Sequence, residues 1–201
     1  MQKTETQLIE EALSHALTYT DYRKLTEEHA LAGTNSGPEV TTSLADYTVL
    51  NHRRMKRLDK TLKLSDTVQK QVLAYKRDII WLVLTETWCG DAAQTMPVMQ
   101  KMAQLNPYIH FKVVLRDEHL ELMDRFLYNG GRSIPKLIAY DATHKKVLGD
   151  WGPRPSEATA MVNAFKADHG KLTPEFKQDL QVWYNKDKGE NTAQDLLALL
   201  D

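Results

Sequence analysis

The lone cysteine of the chain, Cys89, stands where residue types and spacing suit thiol chemistry. It is the only thiol among 201 residues, and it lies shortly after the apolar run 79–84. The residues that follow, 90–102, have a helical pattern. The thiol is therefore predicted at a helix N-terminus, where free N–H groups and the helix dipole favour thiolate. We expect a reactive, solvent-exposed thiol, although free cysteines are also common as small buried apolar residues.

The residue three positions after the thiol restricts its chemistry. A dithiol redox protein has its second sulfur there, and this chain has Ala92. Without that sulfur no intramolecular attack can release a mixed disulfide, so only exchange with an external thiol stays open. The nearby carboxylate of Asp91 opposes a second negative charge, and we expect it to weaken the thiolate preference.

Composition and charge exclude several other classes of protein. Lys and Arg number 26 and Asp and Glu 27, so the net charge of −1 gives no overall attraction to nucleic acid or to an anionic membrane. The longest apolar run is far shorter than the roughly 20 residues of a membrane span. With one cysteine and no basic-then-apolar start, a cytoplasmic location is expected.

A metal centre is not expected. The seven histidines form no pair at ligand spacing, and one cysteine cannot assemble a usual zinc site. No cofactor is predicted. The basic segment 52–63 is amphipathic, so a helix with a solvated basic face is favoured there over a site for an anionic partner.

The pattern of apolar residues predicts an α/β chain with helical ends. We predict a helical N-terminal extension over 1–64, a mixed domain over 65–170 and a C-terminal helical extension over 171–201. One helix is expected over 5–31 and another from 42 or 43. In the C-terminal extension, Thr173-Pro174-Glu175 and a capping box at 191–194 predict the starts of two more helices. The mixed domain has the predicted order β-α-β-α-β-β-α, with strands at 79–85, 110–115, 136–140 and 145–148, and helices at 90–105, 118–128 and 156–168.

These features together resemble the thioredoxin-like proteins. The resemblance rests on Trp88-Cys89-Gly90 at the exit of the first strand, on Pro97 inside the next helix, and on Ile134-Pro135 before the hairpin. Within that superfamily, residues 85–91 and Trp151-Gly152-Pro153-Arg154 are similar to a bacterial subgroup with a helical N-terminal extension and a Trp-Cys-Gly-Asp-Cys motif. It implies a central mixed sheet of about four strands flanked by helices.

The resemblance also implies roles for particular residues. Cys89 would be the nucleophile, and Pro135 a cis-proline whose loop faces the thiol and helps to hold a substrate backbone. Val83 stands where many thioredoxins have a buried aspartate. Glu86, three residues before the thiol, is a candidate proton acceptor, with a solvated loop carboxylate as the alternative. The residues expected beside a substrate are Trp88, Gly90, Asp91, Ile134 and Pro135.

Two functions of different classes follow from this site. One is monothiol exchange on protein disulfides, or on mixed disulfides between a protein and a low-molecular-weight thiol. The other is a non-catalytic thioredoxin-fold binding module whose dithiol activity ended with the second sulfur. An alanine introduced at position 92 to trap mixed disulfides is a third interpretation. The sequence predicts no oligomeric state.

Overall fold

The computed structural model describes residues 2–200, which form one four-stranded sheet and a set of surrounding helices. The strands are β1 (Ile79–Thr85), β2 (Ile109–Leu115), β3 (Lys136–Asp141) and β4 (Lys146–Trp151). The helices are α1 (Glu5–Ser14), α2 (Tyr19–Ala32), α3 (Thr42–Thr61), α4 (Asp66–Ala74), α5 (Gly90–Leu105), α6 (Leu120–Met123), α7 (Ser156–His169), α8 (Pro174–Asp187) and α9 (Glu190–Leu197).

The sheet has the mixed topology that the sequence predicts. Its order is β2-β1-β3-β4, with β1 parallel to β2 and antiparallel to β3, and β3 antiparallel to β4. β1 is almost entirely buried because helices cover both of its faces. Trp81 in this strand is fully buried, as expected for a core residue. The apolar run at 79–84 thus forms the centre of the fold, and its carboxyl end leads directly to Cys89.

Two helix predictions are wrong, each because backbone groups pair outside a helix. The single helix expected over 5–31 is broken into α1 and α2, since Leu17 exchanges backbone hydrogen bonds of 2.8 and 3.0 Å with Val113 of β2. The helix expected over 118–128 is reduced to α6, because Tyr128 and Gly131 exchange hydrogen bonds across a turn in which Asn129 has a positive φ of 48°.

The predicted start of α8 is confirmed, and the predicted start of α9 is wrong. Thr173 caps α8 by accepting a hydrogen bond from the backbone N–H of Phe176, with Pro174 in the first turn. The capping box expected at 191–194 is absent from α9. That helix begins at Glu190, after a left-handed residue at Gly189.

The N-terminal helices share one apolar core with the sheet. Ile9 of α1, Tyr22 of α2 and Met55 of α3 all belong to the buried cluster that contains Trp81. Helices α7 and α8 form a smaller cluster of their own through Ala158, Val162, Phe176, Leu180 and Tyr184. The apolar contacts of α8 are therefore with α7, in a cluster separate from the main core. Within residues 2–200 we find no helix with the length and apolar character that crossing a bilayer requires.

Candidate functional site

Cys89 lies between β1 and α5, at the N-cap of the helix as predicted. The backbone N–H of Ala92 points at its sulfur, with the nitrogen 3.5 Å from Sγ. The thiol itself donates to the backbone carbonyl of Ile134 at 3.3 Å. The Ile134–Pro135 peptide bond is cis. The loop before β3 thus faces the thiol, which is the placement that the resemblance implies.

The expectation of a solvent-exposed thiol is wrong, whereas the reactivity of Cys89 stays a prediction. Only 6% of Cys89 is exposed. Burial raises the pKa of the thiol to about 12, and the charge of Asp91 adds to the rise, while the N–H groups of Ala92 and Asp91 only partly oppose it. A raised pKa favours the neutral thiol over the thiolate at neutral pH. At rest the group is a neutral hydrogen-bond donor to Ile134.

Asp91 forms an ion pair beside the thiol. Its Oδ2 lies 2.7 Å from Nη2 of Arg154, and its Oδ1 accepts a hydrogen bond of 3.0 Å from the hydroxyl of Tyr184. Burial raises the pKa of Asp91, and the Arg154 guanidinium lowers it in part. Because Tyr184 belongs to α8, this carboxylate ties α8 to the N-terminus of α5.

Two amide contacts add to that connection. Gln94 Nε2 of α5 donates to Gln181 Oε1 at 2.8 Å, and Arg57 of α3 donates to Asn185 Oδ1 at 2.8 Å. α8 therefore covers one side of the site through polar side-chain contacts. Neither Tyr184 nor Gln181 follows a pattern that the sequence could reveal. Arg154 stands in the Trp-Gly-Pro-Arg segment that contributes to the resemblance.

Removing the Tyr184 hydroxyl is expected to loosen this cover. Tyr184→Phe should lower the free energy of unfolding by about 1–2 kcal/mol, because the largely buried Asp91 loses a hydrogen bond. The alkylation rate of Cys89 should also rise several-fold as α8 separates from α5 more often. Urea denaturation and mass spectrometry measure the two effects. Tyr108→Phe, at a partly exposed tyrosine outside the site, is the control and should change neither.

Glu86 is buried, so the alternative of a solvated loop carboxylate is wrong. Its Oε2 accepts a hydrogen bond from the hydroxyl of Ser36, and its Oε1 accepts one of 2.9 Å from the backbone N–H of Asp117. Burial raises the pKa of this carboxyl, and the two hydrogen bonds counter the rise. Neither of these contacts is to Cys89, and proton transfer by Glu86 stays a prediction.

The loop between α2 and α3, together with α3, holds the segment before Cys89 through Thr87. Ser36 exchanges two hydrogen bonds with this residue, from Ser36 N to Thr87 Oγ1 at 2.9 Å and from Thr87 N to Ser36 Oγ at 2.8 Å. Asn51 Nδ2 donates to the Thr87 carbonyl at 3.0 Å, and Thr48 reaches the Thr87 hydroxyl at 3.1 Å. The sequence did not reveal these residues, which fix the backbone that leads to the thiol.

Gly152 supports the Ile134–Pro135 loop from behind. It has a positive φ of 120°, and a Cβ at this position would lie 2.1 Å from the carbonyl oxygen of Pro135. Only glycine permits this approach. The Gly152–Pro153 bond is also cis. Trp151 is buried nearby, and its Nε1 donates a hydrogen bond of 3.2 Å to Asp195 Oδ2. Both observations indicate a structural role for this side chain.

A groove of about 730 Å³ opens beside Cys89. Of the residues expected to contact a substrate, Trp88, Gly90, Asp91 and Ile134 line it. The remaining lining comes mostly from the apolar face of α3 and from α8: Leu44, Tyr47, Leu50, Arg54, Arg116, Arg132, Ser133, Pro153, Arg154, Leu172, Pro174, Lys177, Gln178, Leu180 and Gln181. Arg116 lies over the ring of Trp88, 5.1 Å from its centroid. The groove thus has apolar walls with several cations.

No cluster of three or more metal-ligating side chains occurs in the described part of the chain.

Comparisons with known proteins agree with this architecture. Two solved structures share the fold: an HIV epitope scaffold, with a TM-score of 0.57, and a protein of unknown function from Pseudomonas aeruginosa, with a TM-score of 0.55. Each is 18% identical, and each alignment covers 77% of this chain and 84% of the other. No curated protein matches significantly. A family model described as thioredoxin matches residues 37–167, which is more than half of the chain. The chain therefore belongs to the thioredoxin family.

Proposed function

We propose that this chain is a thioredoxin-fold binding module that holds an extended polypeptide in the groove over Cys89. The observation that carries the proposal is a buried thiol that borders an open groove of about 730 Å³. A dithiol cycle has no second sulfur, because Ala92 occupies its position. The chain thus keeps the groove of the fold and lacks one of the two sulfurs that a dithiol redox centre needs.

The walls of the groove suit an extended chain. Tyr47 and Leu50 of α3 line the groove, and each is 40% exposed. Trp88 lines it as well. Ser133 and Ile134, in the loop before β3, also line the groove. Main-chain groups beside side-chain pockets are the usual means by which folds bind extended peptides. We therefore expect backbone contacts at the loop and apolar side chains against α3.

Peptide binding by matched variants tests this proposal. Fluorescence anisotropy with a panel of short, labelled, cysteine-free peptides should find ligands that wild-type protein and Cys89→Ser bind equally well. The double variant Tyr47→Ser/Leu50→Ser should bind them about tenfold more weakly, because it removes apolar contact area. Leu73→Ser, at an exposed leucine of α4 outside the groove, is the matched control. Affinities that depend on Cys89 and not on Tyr47 and Leu50 would contradict a binding role.

Monothiol exchange is the second candidate, and the position of Cys89 favours it. The sulfur lines the groove, lies at the N-cap of α5 and faces the Ile134–Pro135 loop. Once ionised, it would attack one sulfur of a disulfide, forming a mixed disulfide and releasing the other sulfur as thiolate. A low-molecular-weight thiol would then attack the mixed disulfide and restore Cys89. This route requires a bound substrate to lower the pKa of the thiol.

Restoring the second sulfur tests whether the groove still admits a disulfide. Ala92 is buried, with its backbone nitrogen 3.5 Å from the sulfur of Cys89. In Ala92→Cys we expect an intrachain disulfide, seen by mass spectrometry as the loss of two hydrogens, and measurable reduction of insulin disulfides. Ala92→Ser controls for the added side-chain volume and should do neither. A variant that forms the disulfide and leaves insulin intact would contradict the expectation that the site still reduces disulfide substrates.

A further inference from the structure

The charged side chains of the groove are mostly cationic. Four arginines and one lysine line it, and among residues 2–200 Asp91 is its only lining carboxylate. The whole chain has a net charge of −1, so this excess of positive charge is local. We infer that the groove selects acidic polypeptide segments, in which carboxylate side chains alternate with apolar ones. This inference rests on the proposed function, since it names the class of peptide that the same groove binds.

Three of these cations are already neutralised. Arg154 pairs with Asp91 at 2.7 Å. Arg116 holds both carboxylate oxygens of Asp117 at 2.8 and 3.1 Å, and Arg132 holds both of Asp124 at 2.7 and 2.8 Å. These three pairs are bidentate or short, so they have little remaining attraction for a ligand carboxylate.

Arg54 and Lys177 supply the excess positive charge of the groove. Neither forms an ion pair with a carboxylate anywhere in residues 2–200. Arg54 is half-buried, and its one hydrogen bond is a contact of 3.3 Å to Asn51 Oδ1. Asp91 attracts Arg54 electrostatically but is already paired with Arg154, so an anionic ligand would stabilise this partly desolvated guanidinium further. Lys177 projects from α8, so cations border the groove from two helices.

The position of Arg54 places a ligand carboxylate close to the thiol. Its Nη1 lies beside Gly90, 3.6 Å from where a Cβ of that residue would stand. Leu44, Tyr47 and Leu50 precede it on the same face of α3, at spacings of three to four residues. A segment lying along this face would set an acidic side chain at Arg54 and apolar side chains against the leucines and the tyrosine.

The apolar wall favours a polypeptide over a nucleic acid. Proteins that bind single-stranded nucleic acid stack successive bases on a platform of aromatic side chains along a basic channel. Here the groove is lined by two aromatic residues, Tyr47 and Trp88, and by more aliphatic ones: Leu44, Leu50, Ile134, Leu172 and Leu180. An acidic peptide with apolar residues matches both the charge and the surface of the groove.

Three peptides with one backbone sequence test the inference. They alternate leucine with glutamate, glutamine or lysine, and their affinities for the full chain are measured by fluorescence anisotropy. We expect the glutamate peptide to bind about tenfold more tightly than the glutamine peptide, and the lysine peptide to bind most weakly. The preference should shrink as salt is raised.

Charge-removing variants locate that preference. Arg54→Gln/Lys177→Gln should bind the glutamate and glutamine peptides with similar affinity. Arg53→Gln/Lys186→Gln removes the same charges from exposed positions of the same two helices outside the groove, and it should keep the preference.

The outcomes separate this inference from the proposed function. Equal binding of the glutamate and glutamine peptides, lost in Tyr47→Ser/Leu50→Ser, would keep the binding groove and overturn its acidic selectivity. If the protein binds none of the three peptides and no peptide of the cysteine-free panel, both the acidic selectivity and the binding function are overturned. A short oligothymidylate that displaces the glutamate peptide and depends on Arg54 and Lys177 would overturn the assignment to polypeptide.

Discussion

Cys89 is expected to react with iodoacetamide at pH 7.5 at least about a hundredfold more slowly than free cysteine. The thiolate is the reacting species, and burial raises the pKa of Cys89 to about 12, well above the free-thiol value of about 8.5. The rate should still be rising between pH 9 and 10, with no plateau below. Mass spectrometry of the carbamidomethylated protein across pH 6–10 gives the profile. A plateau with a midpoint near pH 7 would contradict a neutral thiol.

The same shift predicts how stability depends on alkaline pH. The pKa of Cys89 is raised in the folded state, so the unfolded chain loses the thiol proton first as pH increases. The stabilisation is complete below the unfolded pKa of about 8.5 and is lost as pH rises beyond it. Wild-type protein should therefore lose more stability between pH 8.5 and 10 than Cys89→Ser does. Urea denaturation at several pH values measures the difference.

Ser36→Ala is expected to lower the free energy of unfolding by about 2–4 kcal/mol. The Ser36 hydroxyl donates to Glu86 and accepts from the backbone N–H of Thr87 at 2.8 Å, and all three residues are buried. Its removal leaves a carboxylate oxygen and an N–H without partners, and buried groups of this kind cost about 1–3 kcal/mol each. Urea denaturation at pH 7 measures the effect.

Two further variants define the cause of that loss. Ser43→Ala removes an exposed hydroxyl from α3 and should change stability by less than about 0.5 kcal/mol. Glu86→Gln keeps an acceptor for the Asp117 N–H and removes a carboxyl whose pKa is raised in the fold, so its cost at pH 7 should be below that of Ser36→Ala. A Ser36→Ala protein as stable as wild type would contradict the role assigned to this network.

The parts of the fold that the sequence predicts are those set by local pattern. β1 and α5 begin and end where the apolar run at 79–84 and the helical pattern after Cys89 place them. Pro135 is cis and its loop faces the sulfur, as the resemblance implies. These features depend on residues close together in the chain, or on a motif whose geometry is common to the family.

The parts that the sequence does not predict depend on distant contacts. The gap between α1 and α2 exists because Leu17 pairs with Val113 of β2, which no helical pattern near residue 17 reveals. Cys89 is buried where the loop before β3 packs against it, and its thiol donates to the Ile134 carbonyl, 45 residues away in the chain. Glu86 is buried because Ser36 and Asp117 close around it. The helix-dipole argument correctly places the thiol at an N-cap, but desolvation outweighs it.

The decisive measurement uses a leucine–glutamate peptide that carries one cysteine capped by glutathione. It is incubated with excess free glutathione, and release of the capped thiol is followed with and without the protein, while anisotropy reports binding. We expect binding with a release rate no higher than that of free glutathione alone, because Cys89 stays protonated in the groove. Catalysed release that Cys89→Ser abolishes would contradict the account and establish the chain as a monothiol exchange enzyme.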